Sequence, residues 1–182
     1  MKSSKANKQI QSRGPRTLAI HAGEPRKHGV GAAVGTEICR TSTFTFSSTA
    51  EMKLWAEGKS DAYIYTRYGN PTLTVAEQKI AALEGAEAAV VTASGMAAIS
   101  SALLGTLQQG DELIASAQLY GGSYRLMRDI FPGMGITVRR VETSLEGIES
   151  LASPRTKVLY VETPTNPTLR LVNLAKAAGT RF

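Results

Sequence analysis

M-A-A-I-S-S-A-L-L-G-T-L-Q-Q-G-D-E-L-I-A-S (96–116) decides the fold. Residues 96–107 read as a helix, Gly110-Asp111 as a turn and 112–116 as a strand. The same alternation continues on both sides. A-A-V-V (88–91) reads as a preceding strand. Downstream come a helix over 121–131, the strand I-T-V-R-R-V-E (136–142), a short helix over 145–151, the strand K-V-L-Y-V-E-T-P (157–164) and a helix over 171–178. Strands separated by helices of crossover length form parallel sheets with helices on their faces. The expected class is α/β with a mostly parallel sheet.

Upstream, Asn70-Pro71 is a helix start, with Asn as cap and Pro at the first helical position. Leu73, Ala76, Ile80 and Leu83 recur at helical spacing, so one face is buried, and Gly85 closes the helix. Residues 1–60 are rich in Gly, Ser and Thr and read as an irregular arm, with T-S-T-F-T-F-S-S-T (41–49) as a short extended segment. The expected organisation is therefore an arm over 1–60, with 1–16 disordered, and an α/β domain over 61–182.

The chain has 182 residues and ordinary proportions of hydrophobic (42%) and charged (20%) residues, as expected of a globular domain. Seven of its 21 basic and one of its 15 acidic residues fall within 1–30, so the net charge of +6 belongs to the tail and the remainder is balanced. The tail's charges are spaced out without aromatic residues between them. This favours a solvated arm over a nucleic-acid or membrane contact. No apolar signal core is present. Residues 88–107 carry no charge over 20 positions, but seven of these are Thr, Ser or Gly, which argues against a membrane span. The single cysteine, Cys39, excludes an internal disulfide and fits a reducing, cytoplasmic setting; it is expected to be a small buried residue. His21 and His28 lack partners at ligand spacing, so no metal site is expected.

Ligands of open parallel sheets sit at the carboxyl ends of the strands. After 88–91 come Ser94, Gly95, Met96 and a helix, whose free N–H groups behind a glycine can cradle a phosphate. After 112–116 comes Tyr120 beside Gly121 and Gly122; its ring can stack on an aromatic ligand or pack as a core tyrosine. After 157–163 comes Asn166, and Glu162 stands in an otherwise apolar strand, where a carboxylate is costly unless paired. Arg67, between Tyr65 and Tyr68, can clamp a phosphate or lie over the two rings. The standard dinucleotide, P-loop and hydrolase-elbow motifs are absent.

Y-T-R-Y-G-N-P-T (65–72), A-S-G-M-A-A (93–98), L-Y-G-G (119–122) and V-E-T-P-T-N-P (161–167) occur in this order. Together they resemble the Cys/Met-metabolism (transsulfuration) enzymes that use pyridoxal 5′-phosphate. T-L-A-I-H-A-G (17–23) and T-S-T-F (41–44) resemble that family's N-terminal arm. The family includes cystathionine γ-synthase, cystathionine γ-lyase, methionine γ-lyase and the homoserine sulfhydrylases. The resemblance implies the first part of a fold type I large domain. It implies that Gly95 and Met96 hold the cofactor phosphate, that Tyr120 stacks on the ring with a possible assisting role, and that Glu162 and Asn166 line the ring and substrate side. Tyr65 and Arg67 would reach the phosphate in a neighbouring subunit, making the protein a homo-oligomer that acts on a small sulfur amino acid. Where some methionine γ-lyases carry a cysteine, this chain has Gly122.

In that family the lysine that forms the Schiff base, and the aspartate that pairs with the pyridine nitrogen, follow the E-T-P-x-N-P motif. Residues 168–182 contain no aspartate and only Lys176. The expectation is a truncated chain, inactive alone, that binds the cofactor weakly through its phosphate and associates through an open sheet edge. The alternative is a non-catalytic relative that docks on a complete subunit.

Overall fold

The computed structural model describes residues 14–24 and 33–180. The Cα packing divides the chain into two compact units, with the boundary between Val91 and Thr92. Each is described by itself.

The first unit holds three helices: α1 (Pro15–His21), α2 (Thr49–Ala56) and α3 (Pro71–Glu84). α1 and α2 fall in the stretch expected to be irregular. α1 starts with Pro15 at its first position and buries Leu18, while α2 is capped by Ser48, whose hydroxyl accepts the Glu51 N–H. Residues 1–13, most of the basic tail, lie outside the described residues, as does His28.

α3 follows its sequence signals at both ends but not along its face: Leu73, Ile80 and Leu83, expected to be buried, are 37%, 46% and 45% exposed, and the buried residue of the helix is Ala81, because α1 covers only part of it. The Asn70 side chain accepts the Thr72 N–H at 2.9 Å, Pro71 opens the helix and Gly85 closes it in the left-handed conformation at φ 64°. Asn70 is buried, and its amide also donates to the Cys39 carbonyl and the Thr66 hydroxyl. Cys39 itself is only half-buried, because its backbone is what the cap binds. α1 packs on α3, and Lys79 joins them by pairing with Glu24 at 2.7 Å and donating to the Ile20 carbonyl. Gly23 sits at φ 76° between them; a Cβ there would lie 2.9 Å from Gln78, so both backbone and space require glycine.

The second unit is a three-stranded parallel sheet in the order β2-β1-β3, with β1 at Glu112–Ser116, β2 at Thr137–Val141 and β3 at Thr156–Tyr160. β1 is buried throughout, and its side chains alternate between two cores as the strand period dictates. Leu113 and Ala115 face Leu103 of α4 (Gly95–Thr106) and Leu107 just after it, together with Leu126, Met127 and Phe131. Ile114 faces Val141, Leu145, Ile148 and Val172. The second core is covered by α6 (Ile148–Leu151) and, through Ala177, by α7 (Leu174–Gly179).

The helix expected over 121–131 is present in two parts: α5 (Gly121–Arg125) runs into a π-helical turn over Leu126–Ile130. The strand expected at 88–91 is not one. These residues run without ladder pairing among the described residues, and Val90 is 80% exposed. An apolar run becomes a strand only when a neighbouring strand takes its N–H and C=O groups; here the Val91 N–H goes instead to the Glu77 carboxylate at 3.0 Å.

At the amino end of β1, the carboxylate of Glu112 is shielded from water and meets Arg139 at 2.9 Å and Arg155 at 2.6 Å. Arg139 holds it below the usual carboxylate range against the opposing effect of burial.

Candidate functional site

The carboxyl ends of β1 and β3 carry three of the residues the sequence singled out, Tyr120, Glu162 and Asn166. The chain leaves β1 through 117–120, and Tyr120 stands at the cap position of α5 with an extended ψ of 140°. Tyr120 is 49% exposed, which rules out the core-tyrosine reading. The ring folds back over the first turn of α5. A Cβ on Gly122 would lie 2.6 Å from the Tyr120 ring and 2.8 Å from Met96 Sδ. Gly122 is absent from the glycines with positive φ, so room rather than backbone conformation demands glycine. The same contact puts Met96 of α4 beside Tyr120.

α4 begins with Ser94 as cap; its hydroxyl accepts the Ala97 N–H at 3.1 Å, and its carbonyl accepts that of Ala98. The N–H groups of Gly95 and Met96 have no partner among the described residues. A Cβ on Gly95 would meet no atom of the chain within 4 Å. Internal packing therefore does not account for the glycine; it leaves open space in front of two free donors, at the positive end of a twelve-residue helix. That arrangement suits an anion.

Glu162 lies two residues beyond β3 and turns back on the Tyr120 loop. One carboxylate oxygen accepts the Tyr120 N–H at 2.6 Å. The other accepts the hydroxyls of Ser123 at 2.7 Å and Tyr160 at 2.8 Å. Burial pushes the Tyr160 hydroxyl up to about 12; the Ser123 hydrogen bond opposes this and the Glu162 carboxylate adds to it. A second tie joins the same two loops, because the Gln118 side-chain oxygen accepts from the hydroxyls of Thr165 and Thr168. Thr165 is fully buried at the base of the 165–170 turn. Asn166, next to it, is exposed, with a side-chain amide that has no partner among the described residues.

The structure thus brings Met96, Tyr120 and Glu162 together, with Gly95 on the same helix start as Met96. Tyr65 and Arg67 belong to the first unit and form a cluster of their own. Tyr65 bridges Thr43 in the extended arm, where the Phe44 N–H donates to the Ile64 carbonyl. The Arg67 guanidinium lies 5.0 Å from the Tyr65 ring centre and 5.6 Å from that of Tyr68. Arg67 is exposed and pairs with no carboxylate among the described residues. A cavity of about 240 Å³ in the first unit, lined by Gly23, Glu77, Gln78 and alanines, includes none of the residues singled out.

Three contributors were not anticipated: Ser123, Tyr160 and Gln118. Tyr160 was within reach, since it precedes Glu162 by two in the stretch expected as one strand (157–164), where both would share a face. Ser123 and Gln118 gave no signal, because they matter only once the two loops are adjacent. Among the described residues no cluster of His, Cys, Asp or Glu could hold a metal, and no helix is long and apolar enough to cross a membrane.

Known proteins resemble this chain in sequence and fold. The family described as Cys/Met metabolism PLP-dependent enzyme matches residues 16–180. An L-methionine gamma-lyase of Fusobacterium nucleatum subsp. polymorphum is 44% identical over 159 residues, which is 87% of this chain and 40% of that protein. The crystal structure of metB from Corynebacterium glutamicum superposes with a TM-score of 0.81 at 34% identity, covering 93% of this chain and 42% of the other. A putative O-acetylhomoserine (thiol)-lyase (metY) from Campylobacter jejuni, holding a pyridoxyl-lysine phosphate, superposes with a TM-score of 0.80 at 26% identity, covering 91% and 41%. The chain spans about two fifths of the length of these relatives. It belongs to the Cys/Met metabolism family of pyridoxal-phosphate-dependent enzymes.

Proposed function

We propose that this chain supplies the phosphate- and ring-binding part of an enzyme that performs β- or γ-elimination or γ-replacement on a sulfur amino acid such as cystathionine, homocysteine or methionine, or on an O-acylhomoserine. The observation that carries this is the pair of free N–H groups at Gly95 and Met96, opening on unfilled space beside the Tyr120 ring. The donor set fits pyridoxal 5′-phosphate: two amides and a helix start for the dianionic phosphate, and a half-exposed aromatic face for the pyridine ring. When bound, the cofactor supplies an electron sink for the substrate's α-carbon.

The chain's own residues then have separate tasks. Gly95 and Met96 hold the phosphate, and Gly95 keeps the approach open. Tyr120 covers one face of the ring, excludes water from it and offers its hydroxyl to assist proton transfer. Asn166 presents an unsatisfied amide on the substrate side. Tyr65 and Arg67 present a cation over two rings, suited to a phosphate on a second copy of the chain, and this makes the protein a homo-oligomer. The free thiol of Cys39 accords with a cytoplasmic setting.

Neither lysine of the second unit is hydrogen-bonded to the residues of the site. Lys157 is exposed on β3, and Lys176 donates to the Ser144 carbonyl at 3.1 Å. We therefore read the 182-residue chain alone as a binder without turnover. Equilibrium titration with pyridoxal 5′-phosphate and with pyridoxal tests this reading. Saturable binding of the phosphate form, competed by inorganic phosphate and at least about tenfold stronger than that of pyridoxal, is expected from two charge-assisted bonds. Equal affinity for both forms, or steady turnover of L-methionine by this chain, would overturn it.

A further inference from the structure

We infer that Glu162 is a positioning residue: its carboxylate serves the reaction only by fixing Tyr120, and does not itself touch cofactor or substrate. The inference rests on the reading of Tyr120 as the ring-covering residue. A carboxylate offers about four acceptor sites. Three are filled from inside the chain, by the Tyr120 N–H, the Ser123 hydroxyl and the Tyr160 hydroxyl. Among the described residues no lysine or arginine pairs with Glu162, so its charge is balanced by aimed dipoles alone.

These donors come from both sides of the Tyr120 ring's attachment. Tyr120 caps α5 without any side-chain hydrogen bond of its own, and Glu162 acts as the external cap. It grips the backbone of residue 120 and the hydroxyl of residue 123, one on each side of Gly122, over which the ring lies. Ser123 is fully buried, so its hydroxyl proton has to be satisfied within the chain. Ser123 Oγ and Tyr160 Oη also lie 3.3 Å apart, but each has one proton and both protons go to Glu162. The contact between them is a consequence of the shared acceptor. Tyr160, held on β3, thereby transmits the position of the sheet to the loop.

Glu162→Ala and Glu162→Gln separate this role from direct ligand contact. The Gln118 tie to Thr165 and Thr168 keeps the two loops together in both variants. In Glu162→Gln, the amide oxygen can keep the Tyr120 N–H while its NH2 donates to the Ser123 and Tyr160 hydroxyls, and the buried Ser123 proton turns to Tyr160 Oη, 3.3 Å away. Hydrogen exchange at the Tyr120 amide and titration with pyridoxal 5′-phosphate are measured on the full 182-residue chain. In Glu162→Ala, exchange protection and cofactor affinity should each fall by about tenfold or more, the loss expected of hydrogen bonds to a charged group. In Glu162→Gln both should stay within about threefold of the unsubstituted chain, as for a neutral bond in the same place.

Unchanged Tyr120 protection in Glu162→Ala would overturn the inference. So would affinity lost equally in both variants while protection in Glu162→Gln is kept, because the charge would then act on the ligand directly. Should Glu162→Ala not fold, Glu162→Asp takes its place with the same readouts, since one methylene less cannot span both donors. If the unsubstituted chain binds no cofactor, the proposed function fails, and the exchange measurement still decides the role of Glu162 by itself.

Discussion

Gly122→Ala is the sharpest perturbation the structure offers. The added Cβ would stand 2.6 Å from the Tyr120 ring and 2.8 Å from Met96 Sδ. Comfortable carbon contacts lie at about 3.5–4.0 Å, so one or both groups must retreat by roughly 1 Å. Met96 can yield by rotating its flexible side chain. Tyr120 has less freedom, because Glu162 holds its backbone at 2.6 Å. Overpacking of this kind costs about 1–3 kcal/mol. Alanine in a helix returns about 0.5–1 kcal/mol, at the low end in the first turn of a helix as short as α5. The net destabilisation should be about 1–2 kcal/mol. The displaced ring should weaken pyridoxal 5′-phosphate binding by about tenfold, the loss of one aromatic contact. Thermal melting and cofactor titration of the variant, beside the unsubstituted chain, measure both quantities. A variant as stable and as tight as the parent would refute the claim that the ring lies over Gly122. A variant less stable but equally tight would refute the claim that this ring position serves the cofactor.

Other consequences are testable by simpler means. Asn70→Ala removes the α3 cap and leaves the Cys39 carbonyl without its donor; the melt should show a loss of about 2–3 kcal/mol. The Glu112 carboxylate is depressed, chiefly by its hydrogen bond from Arg139. Its contribution to stability is therefore fully present above the unfolded value of about 4.3 and disappears as pH falls through the lower folded value. Glu112→Gln should flatten the acid side of a plot of melting temperature against pH, and an unchanged slope would refute the pairing. β2 and β3 each have an open edge among the described residues, and Leu169 and Leu171 are about three-quarters exposed, at 74% and 76%. Light scattering on the isolated chain should therefore report association, and a monodisperse monomer would contradict this.

Much of the second unit is legible in the sequence because each signal there is local. The strand at 112–116 has an apolar centre, Leu113, Ile114 and Ala115, and the residues before it are polar or turn-forming. The buried pattern of β1 and the two cores on its faces follow from that. The Asn70 cap, Pro71 and Gly85 mark both ends of α3 by backbone chemistry that needs no tertiary partner. The strand reading of 88–91 fails for the opposite reason: its four apolar residues hold no information about whether another chain segment will pair with them. α1 and α2 escaped notice because they are short and sit in a Gly- and Ser-rich setting, their only clues being Pro15 and the Ser48 cap.

The site divides along the same line. Gly95, Met96 and Tyr120 stand directly after strands or at helix starts, where position alone suggests a ligand. Glu162 drew attention as a carboxylate in an apolar strand, a cost that demands a partner. Its partners were not readable, since Tyr120 N–H and Ser123 lie about forty residues away and meet it only when β1 and β3 pair in parallel.

The account rests on two backbone N–H groups being free to receive the cofactor's phosphate. Amide chemical shifts of the isotopically labelled chain, followed through a titration with pyridoxal 5′-phosphate, test that directly. The Gly95 and Met96 resonances should move together, saturably and among the most strongly shifted of the chain, and inorganic phosphate should move them in the same direction. Saturable binding that leaves both resonances where they were would contradict it.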